Sequence, residues 1–292
     1  MNLRPFEYHA PATLAEACAL LEARGPEAKV LAGGTDLVLD LKAGKAAPEA
    51  LVWLGRVPEL TAIERRGGHL HLGAAVTATM LLDSAAVRES ARPLVLAAEN
   101  FGAPAVRDMA TLGGNVVTAS PAGDLSIALL ALDATAELVG PQGERRVAVA
   151  DLFAGPRRSA IRSDELLVGF EIPVGGGPAG GDFVKLGARQ ALAISVVCAA
   201  ASITLADGGT CAEARIALGS VAPTPLRARA AESLLRGQRP EAALLAQAAE
   251  RAAAETSPIS DIRGSAWYRR RVTPAIVRRA LEGAAARAAQ GR

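Results

Sequence analysis

The chain has 292 residues, half of them hydrophobic, and its 32 basic and 30 acidic residues leave a formal charge of +2. That length exceeds the ~100–200 residues usual for one domain, so two or three domains with substantial cores are expected and a disordered chain is excluded. The arginines are dispersed except at Arg269-Arg270-Arg271 and Arg278-Arg279, which gives no stripe for nucleic acid.

Thr13-Leu14-Ala15-Glu16 has the form of a capping box, and the run Leu14, Ala17, Leu21 closes at Gly25, predicting a helix over 14–24. Lys29 to Ala32 reads as a strand feeding a glycine loop, Ala32-Gly33-Gly34-Thr35-Asp36. A helical turn at 36–42 and a short strand at 51–54 complete a first unit, residues 1–55. Gly67-Gly68 marks a hairpin between 60–65 and 70–74, Thr77 opens a helix through Leu82, and Pro93 starts another that ends near Asn100.

From Phe101 to Asp124 the chain reads as a long loop centred on Thr111-Leu112-Gly113-Gly114-Asn115. Its adjacent glycines are expected to take φ > 0 and present successive N–H groups to an anion. An apolar helix at 124–132, a hairpin around Pro141-Gln142-Gly143 and a strand at 166–172 finish a second unit, residues 56–174. The glycine-rich run from Gly175 to Gly181 marks a boundary. Beyond it, residues 182–292 hold strands at 183–186, 193–205 and 214–218, then alanine-rich helices. Pro225 and Pro240 are expected to start helices, Gly237 to stop one, and either Ser265 or Thr273-Pro274 to open the last.

Cys18, Cys198 and Cys211 are scattered, with no C-x-x-C pattern, so they imply neither a disulfide framework nor an iron–sulfur or zinc site. His69 and His71 share a strand face, but no third ligand stands out in the sequence, and a solvated strand face is expected with no metal. No apolar run approaches the ~18 residues of a membrane span, and the first residues lack a signal-peptide pattern, so a cytoplasmic protein is expected.

The two glycine loops, with Phe101, Asp124 and Lys185 at suitable intervals, resemble the flavin-binding medium subunit of the molybdenum hydroxylases, the xanthine dehydrogenase and carbon monoxide dehydrogenase family. The resemblance covers about residues 5–280. It implies an α+β fold: a two-lobed FAD-binding domain of the vanillyl-alcohol-oxidase/PCMH type, then a smaller C-terminal domain of antiparallel sheet plus helices. Neither loop is the G-x-G-x-x-G fingerprint of a Rossmann domain.

By this resemblance FAD is bound non-covalently, by Val30, Leu31, Ala32, Gly33, Gly34, Thr35, Asp36 and Leu37 from the first loop and Thr111, Leu112, Gly113, Gly114 and Asn115 from the second. Phe101 offers a flat face to a ring system, though a helix-end core residue reads equally well. Asp124 meets a ribose hydroxyl, caps the following helix, or both. Lys185 reaches the flavin ring, where a cation favours the anionic reduced state, or is a solvated strand lysine. Leu167 is included in the same shell. No residue set for substrate acid–base chemistry is visible.

The implied function is that of a xanthine dehydrogenase-like oxidoreductase component without a hydroxylating site of its own. Electrons pass from 2Fe–2S clusters on a small partner to FAD and on to NAD or another acceptor. The molybdenum cofactor sits on a large partner, and the assembly is a dimer of heterotrimers. The alternatives are a self-contained FAD-dependent reductase or oxidase, and a nucleotide-binding scaffold without redox work. The hydroxylated substrate is selected on another chain and is not written here.

Overall fold

A computed structural model describes residues 3–291 apart from Gly176 and Pro178, so those two positions of the expected boundary lie outside the described residues. After strand β1 (Glu7–His9), the Thr13 hydroxyl accepts from the Glu16 N–H at 3.2 Å and starts α1 (Leu14–Arg24). Strand β2 (Ala28–Leu31), helix α2 (Leu37–Lys42) and strand β3 (Ala50–Trp53) follow. The three strands form a parallel sheet in the order β1-β3-β2. Its small core joins Ala17 and Leu21 of α1 to Val52, Leu54, Leu60 and Leu166.

Strands β4 (Ile63–Arg66) and β5 (His69–Gly73) form the expected hairpin, with Gly67 and Gly68 both at positive φ. Five helices follow: α3 (Ala78–Asp83), α4 (Ala85–Ser90), α5 (Arg92–Glu99), α6 (Pro104–Met109) and α7 (Leu112–Val117). The last two replace half of the long loop expected over 101–124. Helix α8 (Asp124–Ala131) leads into the hairpin β6 (Thr135–Gly140) and β7 (Gly143–Ala148), a small hairpin β8 (Phe153–Gly155) and β9 (Arg158–Ser159), and β10 (Leu166–Pro173). These build an antiparallel five-stranded sheet, β4-β5-β10-β6-β7.

The C-terminal sheet, β11 (Ala179–Gly187), β12 (Ser195–Leu205), β13 (Cys211–Gly219) and β14 (Leu226–Arg227), is antiparallel in chain order. Pro225 therefore precedes a strand pairing with β13 rather than starting a helix, because Leu226 is drawn into register with Leu218. Helices α9 (Arg229–Leu235), α10 (Ala242–Ala254) and α11 (Ala266–Gln290) cover one face. Ser265 caps α11, which runs through Pro274 without stopping. Cys198-Ala199-Ala200-Ala201 on β12 are fully buried and small, so α8 packs on one face of the strand and α11 on the other. The closeness is visible at Gly180, where a Cβ would lie 2.2 Å from the Ala284 carbonyl oxygen of α11.

The main core runs without interruption from Leu70, Leu72 and Phe170 of the five-stranded sheet, through α5 and α8, to Phe183, Cys198 and Ala217 of the C-terminal sheet. Among the described residues, no helix is long and apolar enough to cross a membrane.

Candidate functional site

The first glycine loop leaves β2 at the C-terminal edge of a parallel sheet, a place where side chains no longer pair and the backbone turns outward. Gly34 takes φ +72°, which a side chain would strain. Gly33 is small for a different reason: a Cβ there would fall 1.5 Å from the Met109 carbonyl oxygen, so the loop lies directly against the chain just before Thr111. Further ties hold the lobes at this point, from the Thr118 hydroxyl to Asp36 at 3.3 Å and from Arg157 to Asp40 at 2.8 Å. Among the described residues, the N–H groups of Gly33, Gly34, Thr35 and Asp36 donate to nothing inside the protein. Partly exposed and unspent, they are a ready set of donors for an anionic oxygen.

The second glycine pair corrects the expectation of a nest. Gly113 and Gly114 lie in the first turn of α7, and neither has positive φ. Their neighbours' donors are spent internally: Leu112 N–H on the Val76 carbonyl, Gly113 on Ala74, both at 2.8 Å, Gly114 on the Thr111 hydroxyl at 3.0 Å, and Asn115 on the Thr111 carbonyl at 3.0 Å. The glycines answer to close packing, since a Cβ at Gly113 would sit 2.8 Å from Ala74 and one at Gly114 2.8 Å from the Thr111 hydroxyl oxygen. What this segment offers a ligand is side chains. Asn115 Oδ1 accepts from both the N–H and hydroxyl of Ser126 (3.0 and 2.8 Å), which leaves the amide NH2 as its free end.

The Asn115–Ser126 bonds lead to Asp124, first residue of α8 and only 4 % exposed. Its carboxylate accepts from Lys185 Nζ of β11 at 2.5 Å and from the Ser195 hydroxyl of β12 at 2.6 Å. Lys185 also donates to the Asn100 carbonyl at 3.0 Å, beside Phe101. Burial pushes the Asp124 carboxyl above its ordinary range, and the Lys185 charge and the hydrogen bonds from Lys185 and Ser195 pull it back.

Both simple readings of these two residues change accordingly. Asp124 is not the cap of α8, because Gly123 holds that position and the carboxylate is turned toward the C-terminal sheet. Lys185 is not solvated, its side chain being 9 % exposed, because the alternation of β11 aims it at the second lobe rather than at water. Phe101 packs against the main core, with its carbonyl accepting from Arg107 at 3.2 Å. Leu167 is buried in that same core at a bulge of β10. Ser195 and Asn100 were not visible as site residues in the sequence, since they stand 71 and 85 positions from the partners they hold.

His69 and His71 do share a face of β5, their ring centroids 6.2 Å apart. The sheet adds what the sequence could not display: Glu171 and Glu137 on neighbouring strands bring their carboxylates within 4.8 Å of the His71 ring nitrogen. Arg146 lies on both, at 3.1 Å from Glu171 and 3.0 Å from Glu137, so the arginine supplies the charge that an ion would bring.

Residues 4–175 match the FAD binding domain in molybdopterin dehydrogenase, and residues 182–284 match the CO dehydrogenase flavoprotein C-terminal domain. The carbon monoxide dehydrogenase medium chain of Afipia carboxidovorans is 36 % identical, covering 97 % of this chain and 98 % of its own length. The putative xanthine dehydrogenase FAD-binding subunit of Escherichia coli K12 is 32 % identical over 96 % of each. Among solved structures, a chain of the Cu,Mo-CO dehydrogenase superposes with a TM-score of 0.93 at 36 % identity, covering 98 % of this chain and 100 % of that one. A chain of quinoline 2-oxidoreductase from Pseudomonas putida 86 gives 0.90 at 32 %, with 98 % and 99 % covered.

Proposed function

Since the chain belongs to the FAD-binding subunits of the molybdenum hydroxylase family, oxidoreductase components whose molybdenum and iron–sulfur centres lie on partner subunits, we propose that it is the electron-transfer flavoprotein of such an assembly. When bound, FAD supplies the redox chemistry, taking electrons from iron–sulfur clusters of a small partner and passing them to NAD or another acceptor. The large partner carries the molybdenum cofactor, and the complex is a dimer of heterotrimers working in the cytoplasm.

The observation that carries this reading is the contact of Gly33 with Met109 and the Thr118–Asp36 hydrogen bond, which hold four unspent N–H groups against the segment leading into α7. The residues present fit the cofactor. The N–H groups of Gly33 to Asp36 hold the pyrophosphate beside Ala32, with Thr111 and Asn115 adding donors from the other lobe, where Gly113 and Gly114 let α7 pack closely enough on Ala74 and Thr111 to present them. Val30, Leu31 and Leu37, all partly exposed, form the walls and Phe101 offers its ring, whereas Leu112 and Leu167 are buried in the core behind the cleft. Lys185 has three N–H donors and spends two on Asp124 and Asn100, so one remains for the cofactor. Asp124 fixes the direction of that donor.

The test is to purify the chain alone and again after co-expression with its genomic neighbours. Alone, it is expected to carry FAD and at most to pass electrons from NADH to an artificial dye, with no turnover of purines, aldehydes or carbon monoxide. Oxidation of a small organic substrate by the lone chain at an ordinary enzymatic rate refutes the reading in favour of a self-contained flavoenzyme.

A further inference from the structure

Ser195 opens β12 where that strand meets α8, and it is buried. Its hydroxyl donates to Oδ1 of Asp124 at 2.6 Å, while Lys185 Nζ holds Oδ2. The two oxygens of one carboxylate are thus divided between two donors. A carboxylate with both oxygens free can face an ammonium with the pair and take up more than one of its N–H groups. With Oδ1 occupied, Asp124 takes one Lys185 N–H, the Asn100 carbonyl takes another at 3.0 Å, and the third keeps a fixed direction.

Ser195 is itself held by a strained residue. Its carbonyl accepts from the Ser220 hydroxyl at 2.9 Å, and Ser220 is buried at φ +64°, a left-handed conformation that disfavours any side chain. Such a backbone persists only where its surroundings over-determine it. Here the Ser220 N–H donates to the Pro121 carbonyl at 2.7 Å, and the Ser220 carbonyl accepts from buried Arg269 at 2.6 Å. Pro121 lies in the loop between α7 and α8 that delivers Asp124, so one residue ties that loop to the start of β12. The same loop contains Ala119, buried at φ +50°, whose carbonyl accepts at 2.9 Å from the N–H of Arg157, at φ +55°. Three left-handed residues with side chains therefore converge on the approach to one carboxylate.

We infer that Ser195 is a positioning residue for the flavin: by occupying Oδ1 it keeps Asp124 from drawing the remaining Lys185 N–H away from the cofactor, and Ser220 keeps Ser195 at that oxygen. The inference rests on the assignment of Lys185 to the cofactor made above. A cation beside the flavin favours its anionic reduced state. A Lys185 turned back onto both oxygens of Asp124 favours that state less, and the flavin becomes harder to reduce.

The experiment is a redox titration of the full chain loaded with FAD, against dyes of known potential. Ser195→Ala should lower the flavin midpoint potential by about 30 mV, the equivalent of a tenfold change for a two-electron couple. Mere loosening of the fold weakens oxidised and reduced flavin alike and leaves the potential where it was. Ser195→Thr, which keeps the hydroxyl, should restore the wild-type value. Ser220→Gly is the second variant, since glycine accepts φ +64° without strain, and it should shift the potential the same way even if Ser195→Ala does not fold. Lys185→Met should lower the potential by itself, and adding Ser195→Ala should then change nothing more. An unchanged or raised potential in Ser195→Ala and Ser220→Gly overturns the inference, as does an equal Ser195→Ala shift with and without Lys185. An unchanged potential in Lys185→Met instead removes the cofactor role of Lys185, and the inference with it, so the two failures are distinguishable.

Discussion

Replacing Gly33 by alanine adds one methyl group where the structure has no room for it. The new Cβ would sit 1.5 Å from the Met109 carbonyl oxygen and 2.5 Å from its carbon, against about 3.4 Å for ordinary contact, so the loops must part by about 2 Å. Both obstructing atoms are backbone, so no rotamer change relieves the clash. A shift of that size exceeds the ~0.5 Å tolerance of a preorganised site. Losing even one charge-assisted hydrogen bond to phosphate costs about 1.5–3 kcal/mol, roughly ten- to a hundredfold in Kd. FAD affinity of the apoprotein, followed by quenching of flavin fluorescence on titration, should fall at least that far. Gly44→Ala is the control, because Gly44 has φ +69° but nothing within 4 Å of a Cβ; it should lose about 1 kcal/mol of stability and bind FAD normally. Wild-type FAD affinity in a folded Gly33→Ala protein would refute the idea that this contact builds the cradle.

Three further outcomes follow from the same geometry. Neither glycine segment contains cysteine or histidine for a flavin linkage, so acid precipitation should release all yellow colour into the supernatant, and colour kept in the pellet would contradict this. Lys185→Met strands a buried carboxylate and should cost about 3–5 kcal/mol by denaturant unfolding near neutral pH. With Asp124 raised further, that loss should grow as pH rises through its folded pKa, and adding Asp124→Asn should restore part of the stability. Glu165, its side chain 1 % exposed, is held below its ordinary pKa first by the hydrogen bonds of Arg145 at 2.6 and 2.8 Å. A lowered carboxylate pKa stabilises above the unfolded value, about 4.3, and that contribution is lost as pH falls through the folded value. Glu165→Gln should therefore lower Tm by several degrees at pH 7 and flatten the decline below pH 5; an unchanged acid limb would show that the pair contributes nothing.

Local chemistry made much of the fold legible. Thr13 and Gly25, Thr77, Pro93 and the Gly67-Gly68 and Gln142-Gly143 turns are short-range signals, and each marks the element expected of it. The segment 101–124 was harder, because paired glycines signal loops, whereas here tertiary packing on Ala74 requires small residues within a helix. Strand β1, three residues long and mostly exposed, carries no pattern of its own and exists because β3 offers a parallel edge. In the site, the residue types and glycine loops were readable, but not their division of labour. Free backbone donors belong to one loop and side-chain donors to the other, and Lys185 meets Asp124 across 61 positions of sequence.

The shared core gives the molecule an unequal mechanical structure. Phe170, Leu129 and Cys198 belong to one apolar continuum, so the five-stranded and C-terminal sheets behave as a single block that cannot hinge without exposing it. The parallel sheet, with its small core packed on Leu166 of β10, is fastened to that block at the glycine loop by a carbonyl abutting a glycine, the Thr118–Asp36 hydrogen bond and the Arg157–Asp40 ion pair. It is a clip on a chassis. On the proposed assignment, a dinucleotide gripped by donors from both pieces bolts the clip to the chassis.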